Sequence, residues 1–336
     1  MNFRLDSRWS LSPLDSRLPA GRQAFAGMTI AGTGMILIWT AVTGIQYFPP
    51  PMKSIRLRSP AKLNLALKVL GKRPDGFHNL ETIFERINLF DDITLKINLK
   101  SDIRIFCNDP HVPLGKSNLV HKAAQLLRDD FGVKMGVDIH IKKRIPVAAG
   151  LAGGSSNAAT VLLGLNQLWR LKLSRKKLVS YAKQLGSDVA FFLSECSWAL
   201  GTGRGDVIKP LKIKTKLWHV LITPKRKILT KDVFGRLNLK LTNQNMNVTI
   251  LLPYLRKNNV KALGQALFND LESAIVAIDP RLSSLKNRLF RLRPSGVCFS
   301  GSGPSIFVLA PSFSCAQQLK ALLRKRYDRV FVVQTV

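Results

Sequence analysis

"IPVAAGLAGGSSNAATVLLGLNQL", Ile145 to Leu168, decides how this chain is read. It opens with small residues, continues through Ser155, Ser156 and Asn157, and ends in an apolar run at helical spacing. That spacing predicts a helix from about Gly154 to Trp169. Gly150, Gly153 and Gly154 directly before a helix suit two purposes: a tight turn packed under it, or a cradle for an anion. Residues without side chains let backbone N–H groups approach phosphate oxygens closely. The helix start adds unpaired N–H groups and a positive dipole end. Ser155 and Ser156 offer hydroxyls to phosphate or Mg²⁺.

Other phosphate motifs do not describe the stretch. A Walker A loop ends in Gly-Lys-Ser/Thr, whereas Ser155 follows Gly154 here. The "GKS" of Gly115 to Ser117 has Pro110 where the upstream glycine is needed. The GxGxxG dinucleotide spacing and the protein-kinase HRD signature are absent.

Working outward, Ile55 to Lys68 alternates apolar and polar residues and is broken at Pro60, which predicts two short strands or one bent one. "RPDGFHN", Arg73 to Asn79, has turn chemistry. Strands are expected at Leu80 to Leu89, Ile93 to Leu99, Ile103 to Cys107 and Val137 to Ile141. Ser117 or Asn118 caps a helix running to about Phe131, and Ser174 caps another running to Leu185. A lysine-rich linker is expected at Lys209 to Lys216. Beyond it the pattern gives a strand at His219 to Thr223 and amphipathic helices between Val248 and Leu289. "GVCFSGSGPSIFVLA", a helix over Ser312 to Arg326 and a strand at Arg329 to Gln334 complete it. A strand, helix and strand after a glycine turn indicate a second α+β domain.

The bulk numbers widen the field of partners. The 336 residues include 52 basic against 20 acidic ones, a net charge of +32 that draws in phosphorylated metabolites, nucleic acid or anionic membrane alike. Aromatic residues make up 8% and do not interleave with the basic ones, as a nucleic-acid stacking platform requires. Four scattered cysteines without CxxC give neither a disulfide framework nor a zinc site, and a cytoplasmic setting follows. Residues 1–51 differ from the rest: Ala24 to Met52 holds no charge, and Met28 to Phe48 is long enough to cross a bilayer. Three readings stay open for this extension: a membrane tether through residues 28–48, a signal-like segment, or upstream sequence with Met52 as the true start. The third is favoured, because "MKSIRLRSPAKLNLALKVL" opens like a domain.

Three further islands join the opening stretch: "SPAKLNLALKVLGKRPDGFHNLET" (Ser59 to Thr82), "GSDVAFF" (Gly186 to Phe192) and "FSGSGPSIFVLA" (Phe299 to Ala310). In this order and spacing they resemble the GHMP family of small-molecule kinases in all three family motifs. The likeness is clearest over residues 52–205, thinner to 290, and firm again at Gly296 to Ala310. It implies an α+β, two-domain fold with the active site in the cleft between residues 52–210 and 211–336. It implies ATP as phosphoryl donor, with its triphosphate in a cradle of Pro146, Val147, Ala148, Ala149, Gly150, Leu151, Ala152, Gly153, Gly154, Ser155 and Ser156. Asp188 then matches the catalytic aspartate and Lys62 the active-site lysine. Asn64 and His78 match substrate-contacting positions, and Phe77 stands where a tyrosine is usual, keeping a stacking face and losing a hydroxyl.

The wording PAKLNL followed by PDGFHNLET resembles members that phosphorylate a cytidine-diphosphate sugar alcohol on the non-mevalonate route to isoprenoid precursors. The alternative is another small alcohol, homoserine or mevalonate-like, for which a cytidine-reading ring and histidine have no use. Mg²⁺ is expected to arrive with ATP, without protein side chains as ligands. By the same likeness the helix at Ser117 to Leu127 lies on the adenine side and Phe234 is a candidate for the second face of cytosine. Gly301 and Gly303 form either a turn near the phosphate end of the substrate or a bare strand connection. Ser187 and Ala190 depart from the usual aspartate loop. Ala148, Ala149 and Ala152 stand where some relatives have glycine, and alanine serves there unless φ is positive. Taken singly, Lys62 reads as a strand lysine, Asp188 as a helix cap and His78 as a turn residue; only together do they describe a site.

Overall fold

The backbone of β1 (Ser54–Lys72) and β2 (His78–Asn98) forms one long antiparallel hairpin around the Arg73–Phe77 turn. This computed structural model describes residues 53–239, 242 and 246–336. Pro60 bends β1 without ending it. The register jumps from Pro60 opposite Phe90 to Ala61 opposite Ile87, a bulge at the residue that has no N–H for the ladder. Two strands were expected across Leu80 to Leu99, and one is found. Asp91 and Asp92 look like turn residues, yet both carboxylates have partners that hold them in the strand: Lys143 for Asp91, Arg144 for Asp92.

Around this hairpin a seven-stranded sheet is ordered β3 (Ile103–Cys107), β4 (Gly136–Lys142), β2, β1 and a two-residue strand, Phe268–Asn269, which becomes β8 in chain order. β5 (Trp198–Thr202) pairs with β2 as well, and β6 (Val207–Pro210) pairs with β5. The expected lysine-rich linker therefore begins inside a strand. Helices α1 (Leu119–Asp130), α2 (Gly153–Leu168), α3 (Arg175–Leu185) and α4 (Val189–Leu193) supply the apolar partners for Ile93, Leu95, Val137 and Ile139 of the sheet. The caps fall as the pattern predicts: Asn118 Oδ1 accepts from Val120 N at 2.9 Å and Ser174 Oγ from Lys177 N at 3.3 Å.

The later half builds a four-stranded antiparallel sheet, ordered β11 (Val330–Gln334), β7 (Trp218–Ile222), β10 (Ile306–Ala310), β9 (Gly296–Phe299). Its helices are α5 (Thr230–Gly235), α6 (Leu251–Arg256), α7 (Val260–Gln265), α8 (Glu272–Ile278), α9 (Arg281–Phe290) and α10 (Phe313–Arg324). The fold is thus α+β, and Met52–Val336 form one compact unit. The stretch read as a membrane crossing, residues 28–48, lies outside the described residues. Among the described residues no helix is long and apolar enough to cross a membrane.

Three cores contact the hairpin. One lies under α1 to α4; a second joins Leu63, Leu65, Ile83 and Ile87 to Leu221, Phe307 and Val333 of the later half; a third joins Leu67 and Val69 to Val220, Leu271 and Ile275. Inside this second core Glu85 and His219, both fully buried, meet at 2.9 Å, and Thr335 Oγ1 donates to Glu85 Oε1 at 2.6 Å. Each partner is costly to leave alone in an apolar layer. His219→Leu should therefore lower stability by about 3 kcal/mol, the usual scale for breaking a buried pair. The double change with Glu85→Leu should cost less than the sum of the single changes. Urea unfolding of the three variants checks this.

Candidate active site

Alternation along β1 puts Lys62 and Asn64 on one face of the strand. They are 4% and 2% exposed. Leu63 and Leu65 face the second core, while Lys62 and Asn64 line a cavity of about 900 Å³ on the other side. The polar half of the pattern therefore builds a site.

Lys62 Nζ donates to Asn64 Oδ1 at 2.5 Å and lies 3.8 Å from Asp188 Oδ2. Asn64 Nδ2 donates to Thr82 Oγ1 at 2.8 Å, and that hydroxyl donates to Ala66 O at 2.7 Å. This chain fixes the amide with its oxygen toward the lysine. The Phe84 ring stands 5.2 Å from the ammonium. Burial pushes the Lys62 pKa down, and Asp188 partly restores it. An arriving phosphate would favour the charged form further.

Asp188 occupies the position before α4, where an aspartate commonly caps the helix. Its side chain makes no such bond, and a third of it remains exposed in the cavity. The carboxylate is thus free for a substrate.

The glycine loop arrives from β4. Lys62 N donates to Leu151 O at 3.2 Å, tying the loop to β1. Ala148, Gly150 and Ala152 all take left-handed backbone, with φ of 52°, 74° and 54°. The condition set on the alanines thus fails at two of three positions, and Ala148 and Ala152 carry backbone strain. At Gly150 there is no room for another residue: a Cβ would stand 2.0 Å from Ser300 O, in the β9–β10 turn. Ser300 Oγ also donates to Gly150 O at 3.0 Å. Gly301 of the same turn is close enough that a Cβ on it would stand 3.4 Å from Lys62 Nζ, whereas Gly303 faces Ile275.

Within the loop, Pro146 to Gly150 and Ala152 to Ser155 line the cavity. Leu151 packs into the second core, and Ser156 is fully buried, accepting from Ser59 Oγ at 2.7 Å. Neither lines the cavity. α2 starts at Gly153 with no side chain capping it, so its first N–H groups are available to a ligand.

At the far end, Phe77, His78 and Phe234 line the same cavity. His78 stacks on Phe234, centroids 4.9 Å apart and 28° between planes, and Arg204 lies over the Phe77 ring at 4.9 Å. Burial, then the Lys72 charge, lowers the His78 pKa, leaving a neutral imidazole that can donate and accept.

Several cavity residues went unread in the sequence: Thr82, Lys143, Asn157 and Arg204. Arg204 sits in the glycine-rich stretch "GTGRGD", Gly201 to Asp206. Asn157 Oδ1 is buried without a partner, although the residue lines the cavity. Lys143 carries no local signal among so many lysines.

Comparison with known proteins agrees with this geometry. The GHMP kinases N terminal domain matches residues 118–195 and the GHMP kinases C terminal domain residues 251–329. The 4-diphosphocytidyl-2-C-methyl-D-erythritol kinase of Alkaliphilus metalliredigens is 36% identical over 284 residues, covering 84% of this chain and 97% of that protein. Its counterpart in Alkaliphilus oremlandii is 38% identical over 285 residues, with 84% and 97% covered. A crystal structure of 4-(cytidine 5'-diphospho)-2C-methyl-D-erythritol kinase superposes with a TM-score of 0.71 at 31% identity, covering 84% of this chain and all of that one. The homoserine kinase of Cytophaga hutchinsonii shares the fold, with a TM-score of 0.63 at 20% identity, 87% of this chain and 97% of that one being covered. At this identity and coverage the chain belongs to the GHMP kinase family and is a small-molecule kinase.

Proposed function

We propose that the protein transfers the γ-phosphoryl group of ATP to the 2-hydroxyl of 4-diphosphocytidyl-2-C-methyl-D-erythritol, a step toward isoprenoid precursors. The observation that carries this is the 3.8 Å approach of Lys62 Nζ to Asp188, in one cavity with the open first turn of α2. An alcohol is a poor nucleophile, and Asp188 accepts its proton as the bond to phosphorus forms. Lys62 pairs with that carboxylate and steadies charge on the moving group. The backbone N–H groups at Gly153, Gly154 and Ser155 receive the phosphates. Pro113, Asn118 and Leu119, also in the cavity wall, form the adenine side.

The substrate assignment rests on the aromatic end of the cavity. Phe77 and Phe234 offer π-faces to a pyrimidine, and a neutral His78 can both donate to and accept from its edge. Relatives covered almost end to end carry the matching name. Solved homoserine and mevalonate kinases of similar fold are 15–20% identical, which speaks for fold alone.

Mg²⁺ fits as an ion carried by the nucleotide. Among the described residues no group of three or more His, Cys, Asp or Glu could hold a metal, while Ser155, Asp188 and the unpartnered Asn157 Oδ1 offer single oxygens to one. When bound it would offset phosphate charge.

Three outcomes test the reading. ADP release should follow addition of the cytidylyl alcohol and stay at background with homoserine or mevalonate; the reverse pattern would reassign the substrate. Asp188→Ala should lower kcat by about a hundredfold or more, while calorimetry shows ATP binding within a few-fold of the parent. Near-normal turnover would remove Asp188 as the base. Phe77→Ala should raise KM for the cytidylyl alcohol about tenfold, the scale of one lost base stack. Its KM for ATP should hold, and equal shifts in both would dismiss the stacking role.

A further inference from the structure

Asp91 is fully buried, lies outside the cavity lining, and holds three groups of the segment that leads into the glycine loop. Its Oδ1 accepts from Arg144 N at 2.7 Å and Ile145 N at 2.8 Å, and its Oδ2 from Lys143 Nζ at 2.6 Å. The β2–β4 ladder ends with Asp92 opposite Lys142, one residue before these bonds begin. The carboxylate therefore takes over where strand pairing stops and carries the chain toward Pro146.

Lys143 is the unexpected partner. Its side chain is 5% exposed, and it lines the cavity. A Cβ on Gly153, the first residue of α2, would stand 2.8 Å from Lys143 Nζ. An ammonium beside the positive end of a helix is in an unfavourable place. Two sources of positive potential brought together make sense if an anion is to sit between them. A buried carboxylate at 2.6 Å is what keeps the lysine there without that anion.

We propose that Asp91 is a positioning residue for nucleotide binding, holding Lys143 against the first turn of α2 and fixing the backbone that leads into the loop. This rests on the phosphate-cradle reading of that loop. Asp91→Asn can keep both backbone bonds through its amide oxygen, but turns an NH₂ toward the Lys143 ammonium. The lysine loses its anchor and the ATP site its preset charge.

The test compares Asp91→Asn, Lys143→Gln and the double variant with the parent, using calorimetric ATP binding, thermal unfolding and KM for both substrates. Asp91→Asn should weaken ATP binding about 10- to 100-fold, the scale for loss of a group that orients a ligand-binding side chain. KM for the alcohol should stay within about twofold, well below that scale. The double variant pairs two neutral amides and should regain the parent's Tm without regaining its ATP affinity. If Asp91→Asn lowered Tm alone, or if the double variant recovered ATP affinity with its Tm, Asp91 would be a structural bridge and the proposal would fall. Because ATP binding is read directly, a failed alcohol assignment leaves this comparison intact. A parent protein that bound no ATP would overturn the cradle reading itself and this proposal with it.

Discussion

An ammonium withdrawn from water sets the terms for everything around it. Lys62 is 4% exposed in a strand, where its charge loses solvation and its pKa falls. Such a group persists only with compensation, and the fold supplies it from several directions. Asn64 accepts its hydrogen bond, held in orientation by Thr82 and through it by Ala66 O. Asp188 comes from the far side on a short helix, and the Phe84 ring covers part of the remainder. These partners lie on β1, β2 and the start of α4, so the charge is where separate pieces of the chain must agree. The partial compensation is informative: at 3.8 Å, with a third of the carboxylate open, the pair is not closed on itself.

Most of the secondary structure could be read from pattern, and the placing of Lys62 and Asp188 in one site from the family resemblance. Helix caps at Asn118 and Ser174 and the turn at Arg73 to Phe77 carry local chemistry that does not depend on distant parts of the chain. What escaped depends on long-range partners. Asp91 and Asp92 look like a strand break because an unpartnered aspartate pair belongs in a turn, and their partners come from residues more than fifty positions later. Alternation tells which residues share a face; it does not tell whether that face meets water or a ligand. Thr82 and Lys143 have meaning only through what they touch. Ser156, included in the loop by its motif, bonds Ser59 instead, since the first turn of a helix points only some of its side chains at a ligand.

The glycines show where sequence and geometry agree for a physical reason. At Gly150 the β9–β10 turn approaches until a Cβ would overlap a carbonyl oxygen. This is how the four-stranded half meets the glycine loop, and it brings Gly301 up to Lys62. The tight turn posed at the outset is thus present. The loop is tight because it must fit under the second half, where Gly150 O accepts from Ser300 Oγ.

Ala148 and Ala152 press the same point from the other direction. Left-handed backbone costs an L-residue about 1–2 kcal/mol. Both alanines adopt it although glycine would relieve the strain. The surroundings fix the conformation regardless. Leu151 O is held by Lys62 N–H, Ala152 O receives the Ser156 N–H that starts α2, and Gly150 is wedged against Ser300. With both ends of the loop fastened, the residues between have no other path. A methyl group that opposes the required φ in the native state also opposes alternative shapes in the unfolded chain, which glycine would explore freely. Alanine thus exchanges some native strain for a loop with fewer ways to be wrong.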